Sequence, residues 1–367
     1  MKKGIQVTLS DIAMKIGVSK VTVSKALRGH PDISRETVKK VKKVAKDLGY
    51  FPNFMARNLS SKHSNTIGVV VPKIAHFFFS TMIEAIYDVA FENNYEIILT
   101  VSQEDAKREL CHIKSLLSMR VDALIVSVSQ ETTDFSIFHK VKEMGVPLTF
   151  VDRVLDDRSF NTVANDDRGG ALAAMEHAIS VGYTKLAFLG GYEHVNIGHL
   201  RRVGFEDALQ KHGIPVRPEW IVHSGFGEED GYNGFIKLCE TGALPEFIFC
   251  ATFPIALGVY RAAEEFGVKI PQDIDLMCFG SGVANRFLST RISCVDQPVA
   301  ELGRKAMEVT LAAIQSTSDD SVPQHVQLDT TLKLADTCIR KIAVPKPIIY
   351  THPPFFAQAA NGKEKTR

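Results

Sequence analysis

Residues 19–29 read SKVTVSKALRG, and this stretch decides the fold of the amino-terminal region. Its apolar residues recur at the spacing of one helix face, whereas two lysines, an arginine and three hydroxyl side chains take most of the remaining positions. The pattern predicts a helix from Lys20 to Arg28, because Ser19 can cap its first turn and Gly29 can end it. A basic, hydroxyl-rich outer face on so short a helix indicates an anionic partner.

Two further helices are predicted around this stretch. Residues 8–16, TLSDIAMKI, have helical apolar spacing, with a threonine cap, an acid three positions later and a glycine behind them. Joined by residues 17–19, the two short helices form a helix-turn-helix. A third helix is predicted for residues 35–48, RETVKKVKKVAKDL, with Ser34 as its cap. The residues of the second helix region expected to face the core are Val18, Val23, Ala26 and Leu27.

The charge of the chain is divided unevenly along its length. The net charge is only +1, but residues 1–62 hold 14 Lys and Arg against 4 Asp and Glu, which leaves 29 against 38 for the remainder. A front segment at +10 followed by a remainder at −9 indicates that the front alone binds a polyanion, and nucleic acid is the economical candidate. An ordinary solvated basic helix is the alternative interpretation.

The outer face of the second helix has the side chains that DNA contact requires. In a helix-turn-helix this helix enters the major groove, where lysine and arginine suit guanine and hydroxyl groups suit phosphates. Its first NH groups also favour an anion. The residues expected to contact DNA here are Thr8, Ser19, Lys20, Val21, Thr22, Ser24, Lys25 and Arg28.

From residue 66 onward the pattern changes to alternating strands and helices. Runs such as TIGVVVP, YEIILTVS, DALIVSV and PLTFVD are continuously apolar, as strands buried on both faces are. The alternation then repeats in a second half. The sequence therefore predicts two doubly wound parallel sheets, with a ligand cleft between them.

Cysteine spacing and hydropathy exclude several classes of protein. The six cysteines lie far apart without a CxxC motif, so neither a zinc module nor a disulfide framework is expected. The amino terminus has no apolar signal segment, and no window approaches the ~20 apolar residues of a membrane span. We therefore expect a cytoplasmic protein without a metal or other cofactor.

The amino-terminal motifs are also those of a known family. Residues 7–29, VTLSDIAMKIGVSKVTVSKALRG, and residues 33–61, ISRETVKKVKKVAKDLGYFPNFMARNLSS, closely resemble the DNA-binding segment of the LacI/GalR family of bacterial transcription regulators. The resemblance implies a homodimer on a pseudo-palindromic operator, more often a repressor than an activator, with Lys20, Val21 and Lys25 reading bases. It further implies a hinge helix, with Leu59 as a minor-groove wedge. The hinge residues implied to contact DNA are Asn53, Ala56, Arg57 and Leu59.

The likeness continues to about residue 338. It implies an N-terminal all-α helix-turn-helix domain plus a two-lobed α/β domain like the periplasmic binding proteins, made of doubly wound parallel sheets. The expected boundaries are 1–52 for the helix-turn-helix domain, 53–65 for the hinge, 66–338 for the effector and dimerisation domain, and 339–367 for the tail. Within the effector domain, 66–163 and 295–322 would form the first lobe, and 164–292 and 323–338 the second.

The resemblance also implies an effector pocket in the cleft. The residues implied to line it are Phe78, Phe79, Asp152, Arg201, Phe226, Thr252 and Gly280. Two of them depart from the family pattern, because Thr252 and Gly280 replace an asparagine and an aspartate. A site that lacks these groups pairs fewer sugar hydroxyls. The expected effector is therefore a small sugar-derived, aromatic or anionic molecule rather than a plain hexose, with Arg201 holding any anion.

Other interpretations of the same residues stay open at this stage. The phenylalanines at 77–79 could belong to the core, and Arg201 could pair with Glu206 or Asp207. The switch could be a partner protein rather than a metabolite. An enzyme is the remote alternative, although no GxGxxG follows a strand and neither a phosphate loop nor a nucleophile elbow occurs.

Overall fold

The amino-terminal helices begin and end where a side chain or a glycine can satisfy a helix terminus. The three helices are α1, Leu9–Ile16, α2, Lys20–Leu27, and α3, Arg35–Asp47. At the start of α3 the Thr37 NH donates to Ser34 Oγ at 3.2 Å. At the end of α1 Gly17 adopts a left-handed conformation, with φ of 72°, which glycine tolerates without strain. The predicted caps of α1 and α3 therefore set the bounds of these helices.

A small apolar core holds these helices together. Its buried members are Ile12, Ala13, Val23, Ala26, Val41 and Ala45. The inward face predicted for α2 is present, since Val23 and Ala26 are fully buried and both Val18 and Leu27 pack against the same core. Two helices of eight residues cannot be stable alone in water, so this shared core stabilises them.

A computed structural model of the chain describes residues 7–27, 29–50, 63–75, 77–316 and 322–339. The chain divides into two units, Met1–Ser64 and Asn65–Arg367. Several residues implied to contact DNA lie outside the described residues, namely Arg28, Asn53, Ala56, Arg57 and Leu59. The tail from residue 340 also lies outside them.

Two six-stranded sheets form the second unit. The strands of the first sheet are β1, Thr66–Val71, β2, Glu96–Val101, β3, Ala123–Val126, β4, Leu148–Val151, β5, Asn161–Asn165, and β11, His325–Leu328. The order β11-β5-β4-β3-β1-β2 is parallel throughout. Strand β1 is buried at every position, as expected for a central strand covered on both faces.

The second sheet repeats this plan with one reversed edge. Its strands are β6, Leu186–Gly190, β7, Ile221–His223, β8, Phe247–Cys250, β9, Asp275–Phe279, β10, Ser293–Asp296, and β12, Thr331–Lys333. The order is β12-β10-β9-β8-β6-β7, in which β12 alone runs antiparallel to its neighbour.

Helices cover both sheets. Those against the first sheet are α4, Phe77–Glu92, α5, Ala106–Ser118, α6, Ser136–Glu143, and α11, Val299–Gln315. Those against the second sheet are α7, Asp167–Val181, α8, Asn196–Lys211, α9, Glu228–Glu240, and α10, Phe253–Glu265. Each sheet with its helices is one lobe, called first and second in chain order. The predicted fold class is confirmed.

The lobe boundaries differ from the expected ones at the three chain crossings. Strand β5 stays in the first sheet to Asn165, and β10 stays in the second to Asp296. Residues 325–328 were expected in the second lobe, but β11 pairs with β5 in the first, with His325 opposite Thr162. A short strand of half-exposed, mixed residues has no apolar signature, so its sheet depends on which edge offers free backbone groups.

Candidate DNA-binding surface and effector cavity

The outer face of α2 presents the basic and apolar side chains predicted to read DNA. Lys20 is exposed, and Val21 is 65% exposed, which is unusual for a valine and places a methyl-bearing side chain in solvent. Ser19 caps the helix, since its Oγ accepts from the Thr22 NH at 3.0 Å and lies 2.8 Å from the Thr22 hydroxyl. Ser24 is half-buried. The Ser19 and Thr22 hydroxyls are therefore held next to each other at the helix N-terminus.

Lys25 takes part in an exposed ion pair. Its Nζ lies 2.5 Å from Asp32 Oδ2, and His30 Nδ1 lies 2.6 Å from the other carboxylate oxygen. The hydrogen bond from Lys25, followed by that from His30, holds the pKa of Asp32 below its ordinary value. An exposed pair of this kind contributes little to stability, so Lys25 can exchange Asp32 for a DNA acceptor at small cost.

Thr8 is committed to its own capping box. Its NH and its hydroxyl both donate to Asp11 Oδ2 at 2.7 Å, and the bond from the backbone is the main reason why the pKa of Asp11 is lowered. The exposed face of α3 adds further positive charge. The exposed lysines of that helix are Lys39, Lys40, Lys42, Lys43 and Lys46. The DNA-contact role of Thr8 stays a prediction.

A cavity of about 300 Å³ lies between the two lobes. It brings together all seven residues that the resemblance implied for the effector pocket, namely Phe78, Phe79, Asp152, Arg201, Phe226, Thr252 and Gly280. The phenylalanines of the lining number six, and they are Phe77, Phe78, Phe79, Phe226, Phe253 and Phe279. Of these, Phe253 and Phe279, together with Gln297, line the cavity without having been singled out in the sequence. Their only signal was a position at or just beyond the carboxyl end of a strand.

The first-lobe phenylalanines belong to the start of α4. The helix begins at Phe77. Phe78 and Phe79 meet edge to face, with ring centroids 5.3 Å apart. Phe79 is 4% exposed and contributes to the first-lobe core, so for this residue the core interpretation and the lining interpretation both hold.

Arg201 lies buried at the second-lobe side of the cavity. Its Nε and Nη2 reach Asp167 Oδ1 at 2.8 and 2.7 Å, and its Nη1 donates to the Ala251 carbonyl at 2.6 Å. The Phe279 ring covers the guanidinium at 3.7 Å. The open interpretation in which Arg201 pairs with Glu206 or Asp207 is wrong, because these acids pair with Arg202 and Arg168, respectively.

Arg153 is the first-lobe counterpart of this arrangement. It forms a two-point ion pair with Glu104, at 2.8 and 3.0 Å, and its guanidinium lies 4.9 Å from the centre of the Phe226 ring in the second lobe. Burial opposes ionisation of Glu104, but the charge and hydrogen bonds of Arg153 prevail and hold the pKa of that carboxyl below its ordinary value. Both cavity arginines therefore have their charge matched by a buried acid.

Asp152 is the acid of the cavity without such a two-point partner. It follows β4 with a left-handed backbone, φ of 64°, and is 4% exposed. Burial raises the pKa of Asp152 from its ordinary value of 3.8 to about 7, although Arg201 and Arg153 act in the opposite direction. A carboxyl group that titrates near neutrality can accept or donate a hydrogen bond to a ligand.

The two departures from the family pattern have local structural reasons. Thr252 caps α10, since its Oγ1 accepts from the Ile255 NH at 3.3 Å and donates to the Phe226 carbonyl at 3.0 Å. Gly280 has φ of 77°, and a Cβ built there would lie 2.8 Å from Gln297 Oε1. The hydroxyl at 252 is therefore occupied, and the backbone at 280 disfavours any side chain.

The two acids at the start of α7 and the six cysteines do not line this cavity. Asp166 caps α7 through the Gly169 NH at 2.9 Å, and Asp167 belongs to the Arg201 pair. All six cysteines are free thiols. Among the residues described, no cluster of His, Cys, Asp and Glu could hold a metal ion, and no helix has the length and apolar character to cross a membrane.

Family models account for nearly the whole described chain. Residues 8–53 match the model of the bacterial regulatory proteins of the lacI family, and residues 64–336 match the periplasmic binding proteins and sugar binding domain of the LacI family. The chain belongs to the LacI family. As a member, it is a DNA-binding transcriptional regulator with an effector-binding domain and not an enzyme.

Individual relatives agree with this assignment. The chain is 30% identical over 322 residues to the catabolite control protein A of Priestia megaterium, covering 87% of this chain and 96% of that protein. A LacI-family transcriptional regulator from Enterococcus faecium with bound ribose has a TM-score of 0.65 at 26% identity, covering 77% and 100%. The Lac repressor dimer bound to operator and the anti-inducer ONPF has a TM-score of 0.79 at 24% identity, covering 92% and 100%, and supports the fold.

Proposed function

We propose that this LacI-family regulator is a repressor that binds a pseudo-palindromic operator as a homodimer, with an affinity set by a small molecule in the 300 Å³ cavity. The observation that carries the proposal is the lining of this cavity by both lobes, with Asp152 and Arg153 on one side and Arg201 and Phe226 on the other. A ligand that touches both lobes binds one lobe arrangement better than another, and this differential affinity is what an allosteric switch requires.

Each helix-turn-helix would occupy one half of the operator. Lys20, Val21 and Lys25 read base edges from the exposed face of α2, and Val21 is suited to a thymine methyl group. The remaining DNA residues contact phosphates or form the hinge. They are Thr8, Ser19, Thr22, Ser24 and Arg28 for the helix-turn-helix, and Asn53, Ala56, Arg57 and Leu59 for the hinge. The proposed domain bounds are 1–52 for the DNA-binding part and 53–65 for the hinge.

An exposed aromatic pair supports the homodimer. On α4 the rings of Tyr87 and Phe91 stack with centroids 6.3 Å apart, and the two side chains are 50% and 71% exposed. Monomeric proteins seldom leave two adjacent aromatic rings in solvent, because removing their apolar surface from water is favourable. A partner subunit that covers this face would account for the exposure of both rings. The location we propose for this transcriptional regulator is the cytoplasm.

The effector we propose is a neutral molecule that carries a flat ring. Six phenylalanines line a cavity at the lower end of the size range for small-molecule sites. The charges of Arg153 and Arg201 are matched by Glu104 and Asp167, so the cavity offers no surplus positive charge to an anion. Of the effector chemistries predicted, the aromatic one is therefore favoured over the anionic one, and Asp152 would hydrogen-bond a hydroxyl or amide of the ligand.

Titration calorimetry with matched ligands tests the effector class. The panel contains neutral aromatic glycosides and nucleosides, the same compounds bearing a phosphate, and unmodified hexoses. We expect the neutral ring compounds to bind more tightly than their phosphorylated counterparts and than the hexoses, and Phe226→Leu to weaken that binding. Tight binding of a phosphorylated compound or a plain hexose in preference to the neutral rings would contradict the proposal.

The same proteins test the switch. An operator selected in vitro from random duplexes, followed by fluorescence anisotropy with and without each compound, measures the coupling between the sites. We expect one neutral ring compound to change operator affinity about fivefold or more. If operator affinity does not change with any compound and changes only when a carrier protein is added, the alternative of a switch operated by a partner protein is favoured.

A further inference from the structure

One side chain of the second lobe holds the backbone of the first lobe beside the cavity. Asn196 is the first residue of α8, and its Oδ1 accepts a hydrogen bond from the Val154 NH at 3.1 Å. Its Nδ2 donates to the carbonyl of Asp152, also at 3.1 Å. The bounds of the lobes make both bonds interlobe contacts, since residues 152 and 154 follow β4 of the first sheet.

This two-point contact spans a bend of the first-lobe backbone. The chain bends at residues 152 and 153, directly after β4, and the amide of Asn196 pairs with the last carbonyl before Arg153 and with the first NH after it. Asn196 therefore fixes the peptide units on either side of Arg153. The segment it fixes contains Asp152, whose left-handed φ of 64° costs free energy and persists only when surrounding contacts determine it.

The side chains of this fixed segment enter the effector cavity. Asp152 and Arg153 both line it, and Arg153 is clamped further by Glu104 and by the face of Phe226. The position of both charged groups therefore depends on how residues 152–154 are held. Within a site of this size, small displacements of polar groups change ligand affinity strongly.

The amide is presented from a well-packed support. Val195 and Ile197, on either side of Asn196, are 6% and 4% exposed and form an apolar cluster with Phe226. The helix that starts at Asn196 also carries Arg201 four residues beyond Ile197. The contact thus connects the first-lobe part of the cavity directly to the second-lobe element that forms its other wall.

A third interlobe hydrogen bond reinforces the two made by Asn196. His194 Nε2 lies 2.6 Å from the carbonyl of Gln130 in the first lobe, and the Gln130 NH donates to Glu104 Oε2 at 2.9 Å. Glu104 is the partner of Arg153, so a continuous series of hydrogen bonds runs from His194 to the cavity. All three hydrogen bonds come from the same short loop and helix start of the second lobe.

The contact also separates two spaces. Asp152, Arg153 and Ile197 face the effector cavity, whereas Val154 and Asn196 face a larger crevice of about 720 Å³ on the other side. The wall between the two spaces at this point consists of the fixed segment and the side chain that holds it. Loss of the two hydrogen bonds would therefore remove the only direct hold on the backbone of residues 152–154 from the second lobe that the described residues show, and would leave the Arg153–Phe226 contact and the His194–Gln130 bond as interlobe connections here.

We propose that Asn196 is a positioning residue, an interlobe latch that holds Asp152 and Arg153 in the effector cavity and whose release opens the cavity toward the larger crevice. The inference rests on the function proposed above only in naming the cavity as the effector site. Its test requires neither effector nor operator, so failure of the latch and failure of the proposed function are distinguishable.

Hydrogen exchange of the full-length protein, followed by mass spectrometry, tests the latch. Asn196→Ala removes both bonds, and we expect exchange of peptides that cover residues 152–155 to accelerate about tenfold. Asn161→Ala is the matched control, because Asn161 also bonds backbone groups through both amide atoms, to Gln324 and Leu148, yet only within the first lobe. Unchanged exchange at 152–155 in Asn196→Ala, or an equal acceleration there in Asn161→Ala, would overturn the proposal.

A second variant and a second readout separate positioning from general destabilisation. Asn196→Asp keeps the shape and the acceptor for Val154 but loses the donor to Asp152, so we expect acceleration of about threefold or more. Carboxyl-carbon NMR reports whether Asp152 stays buried. Since burial raises the pKa of Asp152 to about 7, release of the latch should return that pKa toward 3.8 in both variants and leave it unchanged in Asn161→Ala. An unchanged Asp152 titration in both Asn196 variants would refute the positioning role.

Discussion

A basic side chain paired with an aspartate occurs in two regions of this regulator with opposite consequences. On the DNA-binding helices, Lys25 and Asp32 meet at 2.5 Å with side chains 36% and 46% exposed. In the effector cavity, Arg201 and Asp167 meet at 2.7 Å with side chains 3% and 1% exposed. Distance and charge are nearly the same, whereas the type of cation and above all the exposure to solvent differ.

The difference decides what each cation can do. Water screens the exposed pair and offers both ions replacement hydrogen bonds, so the pair can break at small cost. The buried pair has no such replacement, and removing one partner leaves an uncompensated charge in a medium of low polarity. Lys25 can consequently exchange Asp32 for a DNA phosphate or base. Arg201 stays paired with Asp167, and the two opposite charges cancel beside the cavity.

Removing one partner from the buried pair should produce the largest effect. We expect Asp167→Ala to lower the free energy of unfolding by about 3–5 kcal/mol, because Arg201 would stay buried without its counterion. Urea denaturation measures the loss. Asp207→Ala, which breaks the surface pair with Arg168, is the control and should change stability far less. Equal losses in the two variants would show that burial does not distinguish the pairs.

The pH dependence of stability tests the contrast between buried and exposed charges at a second residue, Asp152. Its pKa is raised by burial from 3.8 to about 7, so the folded state binds this proton more tightly than the unfolded state does. Stability should therefore fall as pH rises from about 4 to about 7 and level off above, by at most about 4 kcal/mol. Asp152→Asn lacks the group, so its advantage over the wild type should grow across this interval.

Urea denaturation of both proteins at pH 5, 6, 7 and 8 checks this expectation. The informative quantity is the difference between the two free energies of unfolding, because titration of other buried acids, such as Asp275, affects both proteins alike. Parallel curves for wild type and Asp152→Asn would mean that this carboxyl group is solvated in the folded protein.

The exposed pair should give the smallest change in stability and a measurable change in DNA binding. We expect Lys25→Ala to weaken binding to a selected operator about tenfold and to reduce the salt slope of binding by about one. Asp32→Asn should strengthen binding about twofold, since it frees Lys25 without removing it. Anisotropy titrations at several salt concentrations measure both. Operator affinity that is insensitive to both changes would exclude Lys25 from the interface.

Local patterns made the helical part of the molecule predictable. The helices α1, α2 and α3 have caps and core faces that depend on neighbours three or four positions away, so Thr8, Ser34 and Val23 behave as their spacing indicates. The start of α4 at Phe77 was harder to predict from the sequence. Three consecutive phenylalanines show no helical alternation, and their side chains are divided between the core and the cavity.

The position of the cavity between the lobes could also be predicted from the sequence, because parallel strands end on the same edge of a sheet and the residues that follow them converge. The sequence by itself determined the helix-turn-helix and the two α/β lobes, because both depend on short-range periodicity and on caps. The seven residues that meet between the lobes were implied by the resemblance to the LacI/GalR family and not by the residue pattern alone.

Only the tertiary structure decided which charges neutralise each other. Asp167 and Arg201 are 34 positions apart, Glu104 and Arg153 are 49 apart, and Asn196 reaches Asp152 over 44 positions. A buried charge requires a partner, but the requirement can be met by any acid that the fold brings near, and the sequence around Arg201 offered closer acids that pair elsewhere. The identity of the partner, and with it the neutrality of the cavity, is therefore a property of packing between distant segments.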